Sequence, residues 1–278
     1  MPGGGATLAI IAGRDLLPRL IAERCRAEGR PYLVIGVPGA AGEWMGAHPH
    51  ERHEFERPGR LFAALRRAGC ESVVFAGALD RPRLRPWRAD ARAAALLGRV
   101  TGLLARGDDA LLSGLAEIFE AEGFRVVGAQ ECLAGLTAAP GVLGRHAPGR
   151  ADRRDAALGA AILAALGAFD VGQAAVVAGG RCLGIEAAEG TDALLARLAG
   201  LAPARGGVLV KMAKPGQDRR FDLPAIGPRT IEGAGRAGLR GIAIEAGSVL
   251  VLDRPGTLAA ADAAGLCLWS AARHALVR

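Results

Sequence analysis

The sequence predicts an α/β protein with two domains, of which the first has a parallel sheet and the second is α+β. Three observations support this fold class: the length of 278 residues, apolar runs that alternate with segments of helical periodicity, and a change of pattern after residue 154. A chain of this length is long enough for two domains of ordinary size, each with its own core. Aromatic residues make up only 4% of the chain, so these cores are expected to consist of Ala, Val, Leu and Ile.

The first half of the chain alternates short apolar runs with amphipathic segments. Residues 8–12, LAIIA, predict a strand, residues 16–28 predict a helix that ends before a glycine, and PYLVIGV predicts the next strand. Residues 61–69 and 72–79 repeat the helix-to-strand step, and residues 108–123 predict another helix before the strand FRVVG. This alternation is typical of a parallel sheet.

A segment rich in glycine and proline, residues 135–154, is predicted to link a domain at 1–134 to a domain at 155–278. In the second domain, two apolar runs flank Gly179 and Gly180 and predict a hairpin. The other elements predicted there are, in order, a helix at 155–168 before that hairpin, a helix at about 191–199, the strand GVLVKM, a helix from 228, a second hairpin in GIAIEAGSVLVLD and a terminal helix.

Composition indicates a cytoplasmic protein that favours anionic partners. The cysteines are scattered without a close pair, which argues against disulfides and thiolate metal sites. The N-terminal residues lack the features of a signal peptide, and no run of about 18 apolar residues predicts a transmembrane helix. The net charge of +7 favours nucleotides, nucleic acid or an anionic membrane face, although a genomic bias toward arginine explains it equally well.

Gly13 follows the first predicted strand directly, at the sheet edge where ligands of α/β proteins bind. Arg14 and Asp15 follow in place of the glycines of the dinucleotide fingerprint, and no acidic residue ends YLVIGV to hold a ribose. A nicotinamide cofactor is therefore disfavoured, while other nucleotides remain open. Asp108 opens the helix at 108–123, where capping the helix is an alternative to a role in a site.

Two clusters carry weaker predictions. HPHERH holds His48, His50 and His53, but Pro49 and the irregular context favour a solvated loop over a metal site. The segment RPRLRPWRADAR, residues 81–92, has one aromatic residue and matches no nucleic-acid-binding module. A solvated loop or a membrane-facing edge is therefore favoured there, and no nucleic-acid partner is expected.

The two lysines of the chain, Lys211 and Lys214, stand three residues apart, whereas the other 33 basic residues are arginine. An ammonium is compact enough to sit between phosphate oxygens, so the pair predicts a phosphate site, with chance survival on a surface loop as the alternative. Asp222 follows, and the helix that starts at Pro228, with Arg229 beside it, offers free amides to an anion. Two cations, an amide-rich helix start and a carboxylate suit the cleavage of a phosphoanhydride.

A group of oxygens lies where the first predicted hairpin gives way to a helix. Glu189, Thr191 and Asp192 can bind a hard cation or a sugar hydroxyl. A helix cap is an equally natural role for Thr191 or Asp192. The residues alone favour neither interpretation.

Taken in order, these residues resemble the cytoplasmic UDP-2,3-diacylglucosamine pyrophosphatases of lipid A biosynthesis, the type unrelated to calcineurin-like phosphoesterases. The matching pieces span nearly the whole chain, and the last three in the following list are the most specific. They are IAG at 11–13, HPHE at 48–51, FAG at 75–77 with Arg81 and Pro82, RGDDALL at 106–112, EGFRVVGA at 122–129, Asp170 with Gly172 and Gln173, EGTDA at 189–193, and KPGQD with DLPAIGPRT within 214–230.

The resemblance implies an N-terminal Rossmann-like domain for UDP, a C-terminal domain for the acylated sugar phosphate, and a cleft between them. Water would cleave the pyrophosphate there, giving UMP and 2,3-diacylglucosamine 1-phosphate. Catalytic roles are implied for Asp222, Lys211 and Lys214, with Mg²⁺ or another divalent cation held by Asp222 and Asp192. The substrate-binding residues expected on the same grounds are Gly13, Asp15, Gly77, Ala78, Asp108, Gln173, Thr191, Asp192, Gln217 and Arg229.

A homodimer and a peripheral contact of arginines with the inner membrane are also expected. Arg14 stands where the family usually has a run of glycines, so it would crowd a close phosphate or ribose, or else contact the phosphate directly. A protein that binds the nucleotide-lipid without cleaving it is therefore the alternative function.

Overall fold

The computed structural model describes residues 6–40, 42–78, 89–93, 95–96, 108–133, 135–201, 205–215, 218, 220 and 223–277. The chain forms two compact units. The first contains Met1–Ala134 and Asp218–Asp222, and the second contains Gly135–Gln217 and Leu223–Arg278. Both units combine helices with a sheet, which confirms the predicted α/β class.

The first unit contains a five-stranded sheet in the order β3-β2-β1-β4-β5, with every neighbouring pair parallel. This is the strand order of the first five strands in doubly wound nucleotide-binding sheets. Its elements are β1 (Thr7–Ala12), α1 (Leu17–Ala27), β2 (Tyr32–Gly36), a 3₁₀ turn (Glu43–Ala47), β3 (His50–Arg52), α2 (Pro58–Arg67), β4 (Cys70–Ala76), α3 (Asp108–Ala121), β5 (Arg125–Val127) and α4 (Ala129–Cys132).

The core of the first unit contains more aromatic side chains than the composition suggests. Phe62 and Phe75 each meet Phe119 edge to face, with ring centroids 5.1 and 5.2 Å apart, and Phe124 packs beside them. The expectation of a core made only of Ala, Val, Leu and Ile is therefore wrong for this unit. Concentrating scarce aromatic residues at one place gives a small core large buried surfaces in preferred ring geometry.

The second unit contains a mixed six-stranded sheet in the order β6-β13-β11-β9-β7-β8. The central strands β13, β11 and β9 are parallel, and the outer strands run antiparallel to their neighbours. Its elements are β6 (Gly141–Val142), α5 (Arg150–Leu166), a 3₁₀ turn (Gly167–Phe169), β7 (Ala174–Ala178), β8 (Arg181–Ile185), α6 (Gly190–Ala199), β9 (Val208–Lys211), β10 (Ala225–Ile226), α7 (Pro228–Arg236), β11 (Gly241–Glu245), β12 (Leu250–Val251), α8 (Arg254–Ala263), β13 (Cys267–Ala271) and α9 (Arg273–Leu276).

The first predicted hairpin is confirmed, since β7 and β8 pair antiparallel across Gly179 and Gly180. Both glycines have positive φ, 57° and 75°, as a tight two-residue hairpin turn requires. Their amides donate to the carboxylate of Asp155 on α5, at 2.9 and 2.8 Å. The buried acid therefore satisfies both turn amides.

The second predicted hairpin is wrong. Strand β11 pairs with β9 and β13, whereas β12 pairs with β10 in a separate two-stranded sheet. The chain does turn at Gly247, where φ is +67°. All five residues of β11 are buried, however, as in the interior strand of a parallel sheet, and this pattern outweighs the local turn signal.

Four strands lie where the sequence predicted none, and one of them is β10 at Ala225–Ile226. Within the predicted linker, β6 pairs with β13, and α5 already begins at Arg150. Strand β13 lies where only a terminal helix was predicted, and β3 lies within HPHERH. Strands β3, β6 and β10 have only two or three residues and carry too little alternation to be recognised without their partners. Strand β13 has five residues and was missed within the predicted terminal helix.

All five cysteines are free thiols, and four of them are buried. Burial raises the pKa of Cys70 and of Cys132 to about 11. In the part of the chain that the structure describes, no helix is both long and apolar enough to cross a bilayer.

Candidate functional site

In the first unit, the loops after β1 and β4 cross in close contact through two candidate residues, Gly13 and Gly77. The amide of Gly13 donates to the carbonyl of Ala76 at 2.7 Å, and the amide of Arg14 donates to the carbonyl of Ala78 at 2.8 Å. A Cβ on Gly13 would lie 2.5 Å from the Gly77 carbonyl oxygen. The structure thus brings Gly13, Gly77 and Ala78 together at the carboxyl edge of the sheet.

We expect Gly77→Ala to lower the free energy of unfolding by at least about 3 kcal/mol. Gly77 has φ +82°, and its Cβ would lie 1.9 Å from the Arg14 carbonyl oxygen. Left-handed strain of about 1–2 kcal/mol therefore adds to a backbone overlap that no side-chain rotation relieves. Urea unfolding of both proteins measures the difference.

Gly29→Ala is the matched control for Gly77→Ala, because Gly29 has φ +66° with no atom within 4 Å of the added Cβ. It should cost about 1 kcal/mol, the left-handed strain alone. Equal losses in the two variants would show that the close crossing of the two loops adds nothing to stability.

Two other candidates of the first unit lie at helix starts. Asp15 is exposed, with φ 77°, in the loop that precedes α1. Helix α3 begins at Asp108, and the Asp108 side chain lies outside the described part of the chain. Their substrate-binding roles stay predictions.

In the second unit, the buried ammonium of Lys211 forms a chain of hydrogen bonds. Lys211 is 7% exposed and donates to the Thr191 hydroxyl at 2.6 Å, and that hydroxyl donates to Glu186 at 2.9 Å. The pairing of β7 with β9 brings Gln173 alongside, where its carbonyl accepts from the Met212 amide at 3.0 Å. Lys211 and Thr191, candidates from separate motifs, therefore meet directly, and the backbone of a third candidate, Gln173, lies beside the end of β9.

Lys214 lies on the loop that follows β9, and its ammonium forms an ion pair with Asp170. Asp170 ends the 3₁₀ turn Gly167–Phe169 in the left-handed conformation, at φ 57°. Its side chain is 34% exposed, while that of Lys214 is 11% exposed. A phosphate oxygen can therefore compete with a carboxylate that is still partly hydrated.

Glu245 and Arg273 hold the backbone between the two lysines, and sequence analysis missed both residues. Buried Glu245 accepts from the Ala213 amide at 3.1 Å. Arg273 donates to both oxygens of Glu245, at 2.9 and 2.8 Å, and to the Ala213 carbonyl at 2.6 Å. The one available signal was a charged residue ending the buried run GIAIE, because a buried carboxylate needs a partner.

Asp192 and Arg229 form an ion pair at the starts of α6 and α7. Their side chains are 53% and 76% exposed, so the pair contributes little to stability and either member can exchange partners. Pro228 occupies the first turn of α7, as predicted for a helix start. Arg229 is thus available to an anion and Asp192 to a cation at modest cost.

Gln217 and Asp222 lie outside the residues that the structure describes. Between them, Arg220 donates to Asp218 at 2.7 Å and to Glu120 of α3 at 2.6 Å, within the first unit. The hydrogen bonds from Arg220 hold the pKa of Asp218 below its ordinary value.

Metal-ligand geometry is absent from the described residues: no three or more His, Cys, Asp or Glu side chains converge there. In HPHERH, the predicted solvated loop is wrong, because His48 is buried and shares a hydrogen bond of 2.7 Å between its Nδ1 and the Tyr32 hydroxyl, and His50–Arg52 form β3. Burial, together with the charge of Arg26, lowers the pKa of His48. Strand β3 is the edge strand that pairs with β2, and this pairing accounts for the positions of the histidines.

The patch at 81–92 falls mostly outside the described residues, which resume at Ala89. The carboxylate of Asp90 there accepts from the Gly59 amide at 2.8 Å and from the Ala93 amide at 2.7 Å. This part of the patch therefore helps to fix the start of α2.

The first unit has a parallel sheet with two glycine loops in close contact at its carboxyl edge. In the second unit, each lysine contacts polar side chains. These features define an α/β protein suited to an anionic ligand. Residues 7–136 match the model of the LpxI N-terminal domain, and residues 139–269 match that of the LpxI C-terminal domain. The chain is 41% identical over 266 residues to the UDP-2,3-diacylglucosamine pyrophosphatase LpxI of Caulobacter vibrioides, covering 93% of this chain and 95% of that protein. The chain belongs to the LpxI family.

Proposed function

We propose that this protein hydrolyses the pyrophosphate bond of UDP-2,3-diacylglucosamine, releasing UMP and 2,3-diacylglucosamine 1-phosphate in lipid A biosynthesis. The observation that carries the proposal is the 41% identity, over 93% of the chain, to a pyrophosphatase named for this substrate. The cluster of Lys211, Thr191 and Gln173 supports it, because a buried ammonium that donates to a hydroxyl can donate to a phosphoryl oxygen instead.

In the proposed reaction, a water oxygen bonds to one phosphorus and the bond from that phosphorus to the bridging oxygen breaks. The bridging oxygen leaves with the other phosphate, so each product carries one phosphate monoester. Lys211 and Lys214 offset the charge that develops on the phosphoryl oxygens, and Asp222 orients the attacking water and accepts its proton. Arg229 exchanges Asp192 for a substrate phosphate.

The other candidates have binding roles in this proposal. The first unit receives UDP through the backbone around Gly13, Gly77 and Ala78, with Asp15 and Asp108 on its polar groups. The second unit receives the acylated sugar phosphate through a set of polar side chains. This set comprises Gln173, Thr191, Asp192 and Gln217.

We also propose a divalent cation such as Mg²⁺ as cofactor, held by Asp222 and Asp192. A bound cation would supply a compact positive charge to the pyrophosphate oxygens. The fit at Asp192 is favourable, since its exposed carboxylate leaves a surface ion pair at little cost.

The test is incubation of purified protein with UDP-2,3-diacylglucosamine and Mg²⁺, followed by chromatography for UMP. Release of UMP that stops on chelation with EDTA and resumes with added Mg²⁺ supports the reaction and the cofactor. Release unaffected by EDTA contradicts the cofactor alone. Tight binding without UMP release contradicts hydrolysis and favours the binding-protein alternative that Arg14 suggests.

We further propose that the protein works in the cytoplasm and touches the inner membrane, where its lipid substrate resides. Phe169 supports this contact, because it is 76% exposed and adjoins Asp170, the partner of Lys214. We expect Phe169→Ser to lower the fraction that sediments with anionic phospholipid vesicles about tenfold, from the lost burial of one aromatic side chain.

Leu201→Ser is the control for this measurement, since Leu201 is also exposed, at 45%, in the same unit. Equal sedimentation of the wild type and Phe169→Ser would contradict the contact.

A homodimer is proposed as well, supported by the edge of β8, which in the described strands pairs only with β7. Light scattering at twice the chain mass of 28.4 kDa would support it, and the chain mass itself would contradict it.

A further inference from the structure

A cavity of about 660 Å³ lies in the first unit at the carboxyl ends of β2 and β3. Gly36, Gly39, Arg52, Arg57 and Arg60 are among the residues that line it. The volume falls within the range of roughly 300–1,000 Å³ that small-molecule sites occupy. None of these residues belongs to the site described above.

The wall of this cavity is strongly cationic. Its carboxylate, Glu54, forms an ion pair with Arg57 at 3.4 Å. Among the described residues, the side chains of Arg52 and Arg60 make no hydrogen bond or ion pair. Two guanidinium groups therefore face the cavity without a carboxylate to balance them, an arrangement suited to bidentate contact with phosphate oxygens.

The cavity lies at a place in the sheet where positive charge suits a ligand phosphate. Ligands of doubly wound sheets bind outside the carboxyl ends of the strands. At the end of the second strand, an acidic residue holds ribose hydroxyls in many such proteins, whereas an arginine there accommodates a phosphate. This chain has Gly36, Val37, Pro38 and Gly39 at that place, with arginines supplied by β3 and the start of α2.

We propose that this cavity binds a phosphate-bearing small molecule, with the phosphate on Arg52 and Arg60. The shared chemistry is a phosphate dianion, which either a nucleoside monophosphate or inorganic phosphate supplies. The inference goes beyond the proposed hydrolysis, since it concerns a separate group of residues and does not require turnover.

The test maps arginine modification in the wild-type protein. The full chain is treated with phenylglyoxal alone, with UMP, with uridine and with inorganic phosphate, and labelled peptides are quantified by mass spectrometry. UMP is expected to slow labelling of Arg52 and Arg60 about tenfold, while the exposed Arg19 and Arg24 of α1 label at unchanged rates. Uridine, which lacks the phosphate, should not protect.

The inorganic phosphate arm identifies the source of the anion. Protection by phosphate equal to that by UMP assigns a simple anion site, and protection by UMP alone assigns a nucleotide site; both support the proposal. Unchanged labelling of Arg52 and Arg60 with both probes would overturn it. If UMP release from UDP-2,3-diacylglucosamine persisted in the same preparation, the proposed function would stand without this site.

A double variant provides the second measurement. Arg52→Gln with Arg60→Gln removes two charges without breaking an ion pair among the described residues, and Arg19→Gln with Arg24→Gln is the charge-matched control. Calorimetry with UMP should show at least about tenfold weaker binding at one site in the first variant only. Equal weakening in both variants would indicate a general charge effect and overturn the proposal.

Discussion

Replacement of Asp222 by alanine is expected to lower kcat for UDP-2,3-diacylglucosamine by about a hundredfold or more, with little change in the affinity for substrate. Asp222 is the carboxylate of DLPAIG, and the proposed reaction has it orient water and accept a proton. Proton transfer by a positioned side chain typically contributes about 10²–10⁴-fold to a rate. Lys211 and Lys214, which we propose to hold the phosphoryl oxygens, remain in the variant, so binding is expected to persist. Steady-state release of UMP and calorimetry with substrate measure the two quantities.

Asp222→Asn is the sharper companion to this variant, because the amide keeps the size of the side chain and cannot accept the proton. A loss of kcat comparable to that of the alanine variant assigns the effect to the carboxylate. Glu28→Ala, which removes an exposed carboxylate paired with Arg24 on α1, should leave turnover unchanged. Full turnover in Asp222→Ala would remove this residue from the mechanism.

Short-range patterns in the sequence predicted the parallel sheet of the first unit. Strands β1, β2 and β4 carry the buried runs LAIIA, LVIG and VVFA, and each is followed or preceded by a helix with one apolar face. The glycines of IAG and FAG were also visible, and the structure supplies their physical reason, the crossing of Gly13 with Gly77. These features depend on residues that are close together in the sequence, or on the usual strand order of doubly wound sheets, so the sequence alone predicts them.

Partnerships between distant residues could not be predicted in the same way. Lys211 and Thr191 are 20 residues apart, Lys214 and Asp170 are 44 apart, and Arg273 is 28 residues from Glu245. These pairs meet only because β7, β9, β11 and β13 lie side by side, which periodicity does not determine. The mistaken second hairpin has the same origin: the turn at Gly247 is local, whereas the choice of β9 and β13 as partners of β11 is not.

Glu245→Ala is expected to lower the free energy of unfolding by about 3 kcal/mol, at the low end for breaking a buried ion pair because Arg273 is partly exposed. The side chains of Glu245 and Arg273 are 8% and 35% exposed, and they share two hydrogen bonds. Removing the carboxylate leaves a partly buried guanidinium without its counter-charge and the Ala213 amide without its acceptor. Urea unfolding followed by circular dichroism measures the loss.

Conservative variants distinguish unfolding of the protein from displacement of the Lys211 and Lys214 side chains. Glu245→Gln retains acceptor oxygen for Ala213 but not the charge, so it should fold with a smaller loss and allow turnover to be measured. If Glu245 and Arg273 position the two lysines, kcat is lower in Glu245→Gln than in the wild type. For the same reason, kcat is higher in Arg273→Lys than in Arg273→Ala. Glu232→Ala, which breaks an exposed pair with Arg236 on α7, should cost no more than about 1 kcal/mol. A loss in Glu245→Ala no greater than in Glu232→Ala would contradict the buried ion pair as a main support of this loop.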